Sequence, residues 1–481
     1  MAGRGDCIPI PPLTLWGGVA GYTLVATAAG AKGIKGVEHV PVPGGAYACV
    51  YTGLSPGDAA NSIAQAILDD PAIYSVRRDA VDRIKEALSK SLEWKGGKSG
   101  VPEPLLRELA AGRAKPSPEV ALALEKAGIT GLLEPLPITR AVVIGFTMHD
   151  IKSSGYLSQL ASKLCIGKDL SDLTVVDLVE AVVKALRGEC DKAWDPIPSL
   201  TLFRAEYYKY VRLYMPRPTG KLEARHHVQI PAVAQAIGLL GHIYTSIYGN
   251  RRENVARHLA SPVPPGTSPR EIARAARVFV AARSLLRWAW RQWSQKLGGL
   301  PWSVASMAVG TLLWESGARD EYLEEVVVSG GNTISVNEVV QIPGQPVARL
   351  LSAIGDERIG ECTRIVPKDY KPLLVEGFEK GFSKAVAAGI VRSLPSRGER
   401  DLDLEAKRAM IEYSTLLVQY AFSYVEGRPQ AELAYAAARA AMMYYTSLAE
   451  ALAGGAGHPW WLRVLACTAA RAVEVEARYV A

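Results

Sequence analysis

The chain has 481 residues, of which 49% are hydrophobic, so it can bury the cores of two or more domains and is not disordered as a whole. Its net charge of +7 is unevenly distributed: residues 201–300 hold 16 Lys and Arg against four Glu, a net +12. The other 381 residues therefore sum to −5. This local excess of cations excludes a uniformly mixed surface and indicates an anionic partner.

The first 200 residues read as a mixed α/β region. An uncharged segment over residues 7–31 contains prolines and glycines, which favours a buried small-residue helix packed on a sheet over a membrane span. Gly44-Gly45 between two extended runs predicts a hairpin within residues 38–51. Apolar spacing predicts helices over residues 58–73 and 76–92, and the apolar run 141–146 predicts a strand.

Residues 201–300 are predicted to form a basic helical segment, broken once by the proline-rich connection 261–269. The next helix has explicit start signals: Ser268 can cap it, Pro269 suits its first turn, and Glu271 completes a capping box. The helix should end near Leu297, before Gly298-Gly299.

Residues 301–395 are predicted to be an α+β region with a hairpin over residues 323–342, turning at Gly330-Gly331. Residues 400–481 are predicted to be a C-terminal helical bundle with helices over 403–425, 430–453 and 460–480. The expected fold class is α+β, predominantly α-helical, with a mixed α/β N-terminal region over residues 1–200.

No catalytic motif stands out. The Gly-Gly-Lys-Ser sequence near residue 98 resembles the end of a phosphate-binding loop, but Leu92 occupies the position of its first glycine. His149-Asp150 could supply two metal ligands, yet the other histidines show no matching doublet, so a turn after a strand is the simpler interpretation. HExxH, GxSxG and GxGxxG are absent. We therefore predict no catalytic residue, no metal and no cofactor.

Six cysteines lie far apart, with no CxxC pair, at positions 7, 49, 165, 190, 362 and 467. This spacing indicates neither a zinc ribbon nor a disulfide framework, and a reducing cytoplasm is the expected compartment. Five asparagines among 481 residues, with abundant Ala and Arg, suggest a thermophilic host.

The cations of residues 201–300 come with aromatic side chains and helical spacing. The run 203–217 interleaves five aromatic with four basic residues, which suits stacking on bases and contacts to phosphates, although a half-buried amphipathic helix face would look the same. The predicted nucleic-acid-binding residues are Arg204, Lys209, Arg212, Arg217, Lys221, Arg225, Arg251, Arg252, Arg270, Arg274, Arg277, Arg283, Arg287, Arg291, Lys296 and Trp288.

On the helix after Ser268, one apolar stripe is the expected core face: Ile272, Ala276, Phe279, Leu286, Trp290, Trp293 and Leu297. Its arginines form two rows almost without carboxylates, which favours binding of a polyanion. Ion pairs with the acidic remainder of the chain are the alternative interpretation.

The combination of a Gly/Ala-rich opening helix from Leu15 to Tyr22 onward, a short hairpin, a basic middle and a helical C-terminus resembles the large subunits of archaeal type I CRISPR Cascade complexes of the A subtype. The resemblance implies a non-catalytic subunit at one end of a crRNA-guided complex. It implies contacts with crRNA, target DNA and the protospacer-adjacent motif, with other Cascade subunits, and with the recruited nuclease-helicase. Protein would then read the short motif while base pairing reads the sequence.

Two other functions stay open at this point. The arginines could hold a phosphorylated or nucleic-acid substrate of an enzyme in which a carboxylate or His149 transfers protons. Alternatively, the protein could be a structural assembly factor whose basic helix docks on an acidic partner.

Overall fold

A computed structural model describes the chain over residues 7–13, 15–30, 37–42, 47–76, 79–91, 125–126, 133–153, 155–200, 202, 229–260, 269–297, 309, 313, 323–330 and 334–342. Of the described residues, 55% are helical and 25% lie in strands, which confirms an α+β fold in which helices predominate. The predicted C-terminal bundle, the run 203–217 and the Gly-Gly-Lys-Ser sequence lie outside the described residues.

The chain divides into two compact units, one comprising Met1–Val280 with Glu324–Val340 and the other Ala281–Leu323 with Gln341–Ala481. Most of the described residues belong to the first unit. Its α-helices are α1 (Trp16–Gly30), α2 (Pro56–Leu68), α3 (Ala80–Ser91), α4 (Ile138–Ala141), α5 (Tyr156–Lys163), α6 (Val175–Leu186), α7 (Ala232–Thr245) and the start of α8 (Pro269–Leu297). The strands are β1 (Ile8–Ile10), β2 (Glu38–Pro41), β3 (Ala48–Tyr51), β4 (Tyr74–Val76), β5 (Leu133–Pro135), β6 (Pro196–Pro198), β7 (Gln229–Pro231), β8 (Ser246–Asn250), β9 (Val255–Ala260), β10 (Leu323–Gly330) and β11 (Ile334–Ile342).

Two helices form the centre of the first unit. All residues of α7 and all of α1 except Val19 are buried, so neither helix has a polar outer face. They approach closely because glycines face each other: a Cβ on Gly241 would overlap the Ala20 backbone, and one on Gly21 would lie 3.5 Å from the Gly238 Cα. The expected buried helix is confirmed, but its main partner is another helix rather than a sheet.

The strands form small antiparallel sheets, and β1, β7 and β9 contact the helix pair. β1, β3 and β2 form a three-stranded sheet in that order, which confirms the hairpin predicted within residues 38–51. A four-stranded sheet has the order β11-β10-β9-β8, so the hairpin predicted over residues 323–342 is also confirmed. Strands β4 and β5, and strands β6 and β7, form separate two-stranded ladders.

The predicted strand over residues 141–146 is wrong. Val142 and Ile144 are buried, but Gly145 has φ +119°, and the segment is irregular after α4. It covers the four-stranded sheet instead of joining it: a Cβ on Gly249 would lie 2.5 Å from Val143 side-chain carbons. The apolar run therefore indicates burial, not strand pairing.

The helical interpretation of residues 201–300 is correct for α7 and α8 but wrong for residues 246–260, which form the β8–β9 hairpin. Helix α8 spans 29 residues, roughly 40 Å, with the predicted bounds. Five residues of its predicted apolar stripe are buried: Ile272, Ala276, Phe279, Leu286 and Trp290.

The expectation that the cysteines form no disulfides is wrong. Cys7 bonds to Cys49 and Cys165 bonds to Cys190, across sequence separations of 42 and 25 residues. The first pair is brought together when β1 pairs with β3, since Cys49 lies opposite Pro9. Sequence spacing could not reveal partners that only strand and helix packing make adjacent.

In the described part of the chain, each helix is too short or too polar to cross a bilayer.

Candidate nucleic-acid interface

The predicted arginines of the described region differ in exposure. Arg251 and Arg252 are exposed at the β8–β9 turn, and Arg270 and Arg277 are exposed on α8. Arg274 and Arg287 are half-buried, whereas Arg283 is only 4% exposed, so Arg283 does not belong to an outward-facing row. Arg291, Lys296 and Trp288 lie on α8, but the structure does not describe their side chains. The remaining predicted residues lie outside the described ranges: Arg204, Lys209, Arg212, Arg217, Lys221 and Arg225.

The β8–β9 turn is a tight four-residue turn with a defined geometry. Asn250 Oδ1 accepts a hydrogen bond from the Arg252 amide at 3.0 Å, and Asn254 adopts a left-handed conformation with φ +50°. Asparagine tolerates that conformation better than most residues. The Asn254 carbonyl in turn accepts from the Gly330 amide at 2.8 Å, which joins the turn to β10.

The side chain of Arg251 connects this turn to a distant part of the chain. Arg251 Nη2 donates to the Thr139 carbonyl oxygen at 2.5 Å, across 112 residues. The exposed Arg140 directly follows Thr139 in the chain, so its backbone lies close to the turn. We call Arg140, Arg251 and Arg252 the hairpin-tip cluster. The exposed Glu253 also lies at the turn and partly offsets its charge.

The first half of α8 offers a second group of cations. Arg270 and Arg277 are seven residues apart, so they project from the same side of the helix about 10 Å apart along its axis. Neither forms an ion pair with any part of the chain that the structure describes. Two exposed guanidinium groups in this arrangement can contact two phosphates of one nucleic-acid molecule.

Another cation of the basic segment has an internal partner. Arg257 Nη1 lies 2.7 Å from Glu325 Oε1, across the β9–β10 pair, and Glu325 is 6% exposed. The alternative interpretation of internal ion pairing therefore applies to this arginine. Arg257 is not available to a polyanion in the way that Arg252, Arg270 and Arg277 are.

A cluster of buried rings, which the sequence does not predict, lies in the core of the first unit. Trp16 Nε1 donates to His242 Nδ1 at 3.2 Å, and the His242 and His258 rings lie 4.3 Å apart between centroids. His258 Nδ1 is 3.1 Å from Thr245 Oγ1, whose proton goes to the Gly241 carbonyl at 2.8 Å. The cluster joins α1, α7 and β9. No sequence signal marks it, because its members lie up to 242 residues apart.

The chemistry of this cluster follows from its burial. Burial lowers the pKa of His242 to about 3, so its imidazole is neutral near pH 7 and accepts the indole proton. A base with so low a pKa is a poor proton acceptor for catalysis at neutral pH. The cluster is therefore a polar brace in the core.

His149 and Asp150 lie in a π-helical turn, His149–Ser153. Asp150 is buried, and its Oδ2 accepts from the backbone amide and the hydroxyl of Thr147, each at 3.0 Å. This carboxylate caps its own turn. Over the described ranges, no three His, Cys, Asp or Glu side chains converge on a position that could hold a metal ion.

No protein-family model matches the chain, and neither a curated protein nor a solved structure shows significant similarity to it.

Proposed function

We propose that this protein is a non-catalytic nucleic-acid-binding protein that contacts phosphates through exposed arginines of α8 and of the hairpin-tip cluster. The observation that carries the proposal is the pair Arg270 and Arg277, which project from one side of α8 without an internal ion pair in the described part of the chain. The hairpin-tip cluster adds three cations from two distant segments. Exposed arginines suit phosphate recognition, because the planar guanidinium group can donate two hydrogen bonds to one phosphate.

The finer proposal is the large subunit of a crRNA-guided Cascade complex. It rests on the resemblance in element order: a buried small-residue opening helix, a short hairpin and a basic middle region. In that role the arginines would contact crRNA or target DNA beside the protospacer-adjacent motif, next to the other subunits and the recruited nuclease-helicase. A cytoplasmic location in a thermophilic archaeon is compatible with the two disulfides, because intracellular proteins of such organisms often contain them.

The test is binding of a fluorescent DNA duplex, and of crRNA-length single-stranded RNA, over a series of salt concentrations. Arg270→Ala with Arg277→Ala should weaken binding and flatten the slope of log affinity against log salt by about 2 on duplex DNA, since each lost phosphate contact accounts for roughly 0.9. The stability of the variant should not change, because both side chains are exposed.

The matched control removes two exposed cations elsewhere, through Lys184→Ala with Lys192→Ala. That variant has the same net charge but should keep the slope of the parent protein. Equal losses in both variants would mean that only overall charge matters, which would contradict a specific surface. A slope unchanged in the α8 variant would contradict it as well.

The enzyme and assembly alternatives predict different outcomes in the same preparation. An enzyme would degrade or modify the bound nucleic acid, and time courses on gels would show it. An assembly protein would co-purify with an acidic protein in a manner resistant to nuclease. Nuclease-sensitive co-purification with small RNA is the outcome that we expect.

A further inference from the structure

The two disulfides of the first unit differ in accessibility. Cys7 and Cys49 are both buried, at 4% and 3% exposure. In the other pair, Cys190 is buried at 3% but Cys165 is exposed. Thiol–disulfide exchange requires a thiolate to reach one sulfur along the sulfur–sulfur axis, so accessibility separates the two bonds chemically.

Cys165 is held outward by the end of a helix. The Ile166 amide donates to the Ala161 carbonyl at 2.9 Å and the Cys165 amide to the Ser162 carbonyl at 3.2 Å, which is the hydrogen-bond pattern of a Schellman cap. Cys165 has φ +59°, at the position that glycine usually occupies. A left-handed cysteine is uncommon, and here it places an exposed residue of the disulfide in the lining of an open surface cavity.

Beside Cys165 lies an open surface cavity with a volume of about 620 Å³, most of whose lining residues are exposed. Its polar lining comes from Ser158, Ser162, Lys168, Asp169 and Ser171. Lys168 Nζ is 2.6 Å from Asp177 Oδ1, so its charge is largely matched and the cavity does not select strongly for an anion. The space is large enough to admit a small molecule from solvent, and the hydroxyl groups suit a polar ligand.

We propose that Cys165–Cys190 is a thiol-exchange site, at which a low-molecular-weight polar thiol enters this cavity and forms a mixed disulfide with Cys165. The thiolate of the small molecule attacks Cys165 Sγ, and a new sulfur–sulfur bond forms as the Cys165–Cys190 bond breaks. The electron pair goes to Cys190 Sγ, which takes up a proton from water. One disulfide and one thiol are present before and after the step, so no other oxidant or reductant takes part.

The surroundings of Cys190 favour it as the leaving group that stays in the protein. Its Sγ lies 3.3 Å from the Lys163 carbonyl oxygen, which can accept a hydrogen bond from the released thiol. The exposed end of the bond thus carries the adduct, while the buried thiol gains a partner at the end of α5.

The fold around the site has a second link that exchange does not break. Lys163 Nζ is 2.7 Å from Asp195 Oδ2, which connects the end of α5 to the chain just after Cys190. This ion pair is still available to join the two segments when the disulfide opens, although a partly exposed pair contributes only about 1 kcal/mol or less. The modification is a local event, independent of whether the protein binds nucleic acid.

The test uses the full-length native protein with reduced glutathione as the probe. After an acid quench, free thiols are alkylated and the peptides are identified by mass spectrometry. We expect glutathione on Cys165 and the alkyl group on Cys190, at a rate roughly tenfold or more above any reaction of Cys7–Cys49. Glutathione on Cys190, equal rates at both disulfides, or absence of the Cys165–Cys190 bond from non-reduced digests would overturn the proposal.

A second measurement separates the cavity from simple exposure. Ser162→Phe should narrow the cavity and slow the reaction with glutathione several-fold, while the smaller 2-mercaptoethanol reacts as in the parent protein. Ser162→Ala is the matched control and should leave both rates unchanged. Equal slowing of both thiols, or slowing of neither, would show that the cavity plays no part. Ser158→Phe provides the same test from the other side if Ser162→Phe does not fold.

Discussion

Two stretches of the basic third hundred residues use their charges in opposite ways. Residues 229–260 contain 14 consecutive buried residues in α7 without any Lys or Arg, and their arginines are confined to the hairpin that follows. Helix α8 distributes arginines along its length, with Arg270 and Arg277 exposed opposite a buried stripe. Regional net charge therefore says little about where a residue lies, whereas the periodicity within each helix says a great deal.

The largest loss of stability is expected when a side chain is inserted between the central helices α1 and α7. Gly241→Val should lower the free energy of unfolding by about 4 kcal/mol or more, because the new Cβ overlaps the Ala20 backbone and the helices must separate. Chemical denaturation of purified protein measures the effect. Gly167→Val is the control, since a Cβ there meets nothing within 4 Å. Equal losses in the two variants would mean that α1 and α7 do not pack as described.

The buried helix α7 should also make the stability of the protein sensitive to acid, through His242. The pKa of His242 is about 3 in the folded protein against 6.5 for an ordinary histidine, so below pH 6.5 the unfolded chain binds a proton that the folded chain does not. The contribution of His242 to the free energy of unfolding should be fully present above pH 6.5 and should decrease as the pH falls towards 3. By pH 5 the loss from this group should be about 2 kcal/mol. Denaturation at several pH values measures it. His242→Gln should flatten the slope over that range, and an unchanged slope would contradict the assignment.

Arg257 tests whether a cation of the hairpin serves stability rather than binding. Arg257→Ala should cost about 1–2 kcal/mol of unfolding free energy, because Glu325 is left buried, while the one-third exposure of Arg257 limits the loss. Nucleic-acid affinity and its salt slope should stay within error of the parent protein. Thermal unfolding and duplex titrations, run in parallel, distinguish this residue from Arg270 and Arg277. A flattened salt slope in this variant would place Arg257 in the interface instead.

The smallest effect is expected at the hairpin tip. Arg251→Ala with Arg252→Ala should flatten the salt slope by about 1, less than the α8 pair, because Arg251 is held by the Thr139 carbonyl and Glu253 opposes the charge. Glu253→Gln should act in the opposite direction and strengthen binding slightly. Duplex titrations at several salt concentrations measure both variants. A larger loss at the tip than on α8 would make the hairpin the principal contact.

Elements with local signals could be predicted from the sequence. The bounds of α8 follow from Ser268, Pro269 and the glycines after Leu297, all within one or two turns of the helix ends. Paired glycines between extended runs predicted both confirmed hairpins. The β8–β9 hairpin was missed because its turn residues, Arg251–Asn254, include no glycine, and the segment follows directly on a helix.

The candidate site was only partly predictable. Arg251, Arg252, Arg270 and Arg277 were named from charge and spacing, and all four are exposed. Arg140 was not named, because only the contact between Arg251 and the Thr139 carbonyl brings it to the hairpin tip. Arg283 was named as a binding residue but is buried, since the width of the buried face depends on what packs against the helix.

By itself the sequence determined the class of the fold, the limits of the long arginine-rich helix, two hairpins and the place where positive charge accumulates. Those properties depend on residues within a few positions of one another, through capping, turn conformation and apolar periodicity. Tertiary structure alone decided the two disulfides, the His242–His258 brace, the Arg257–Glu325 pair and the exposure of each arginine. These contacts join residues tens to hundreds of positions apart, and they exist only after the helices and sheets have packed together.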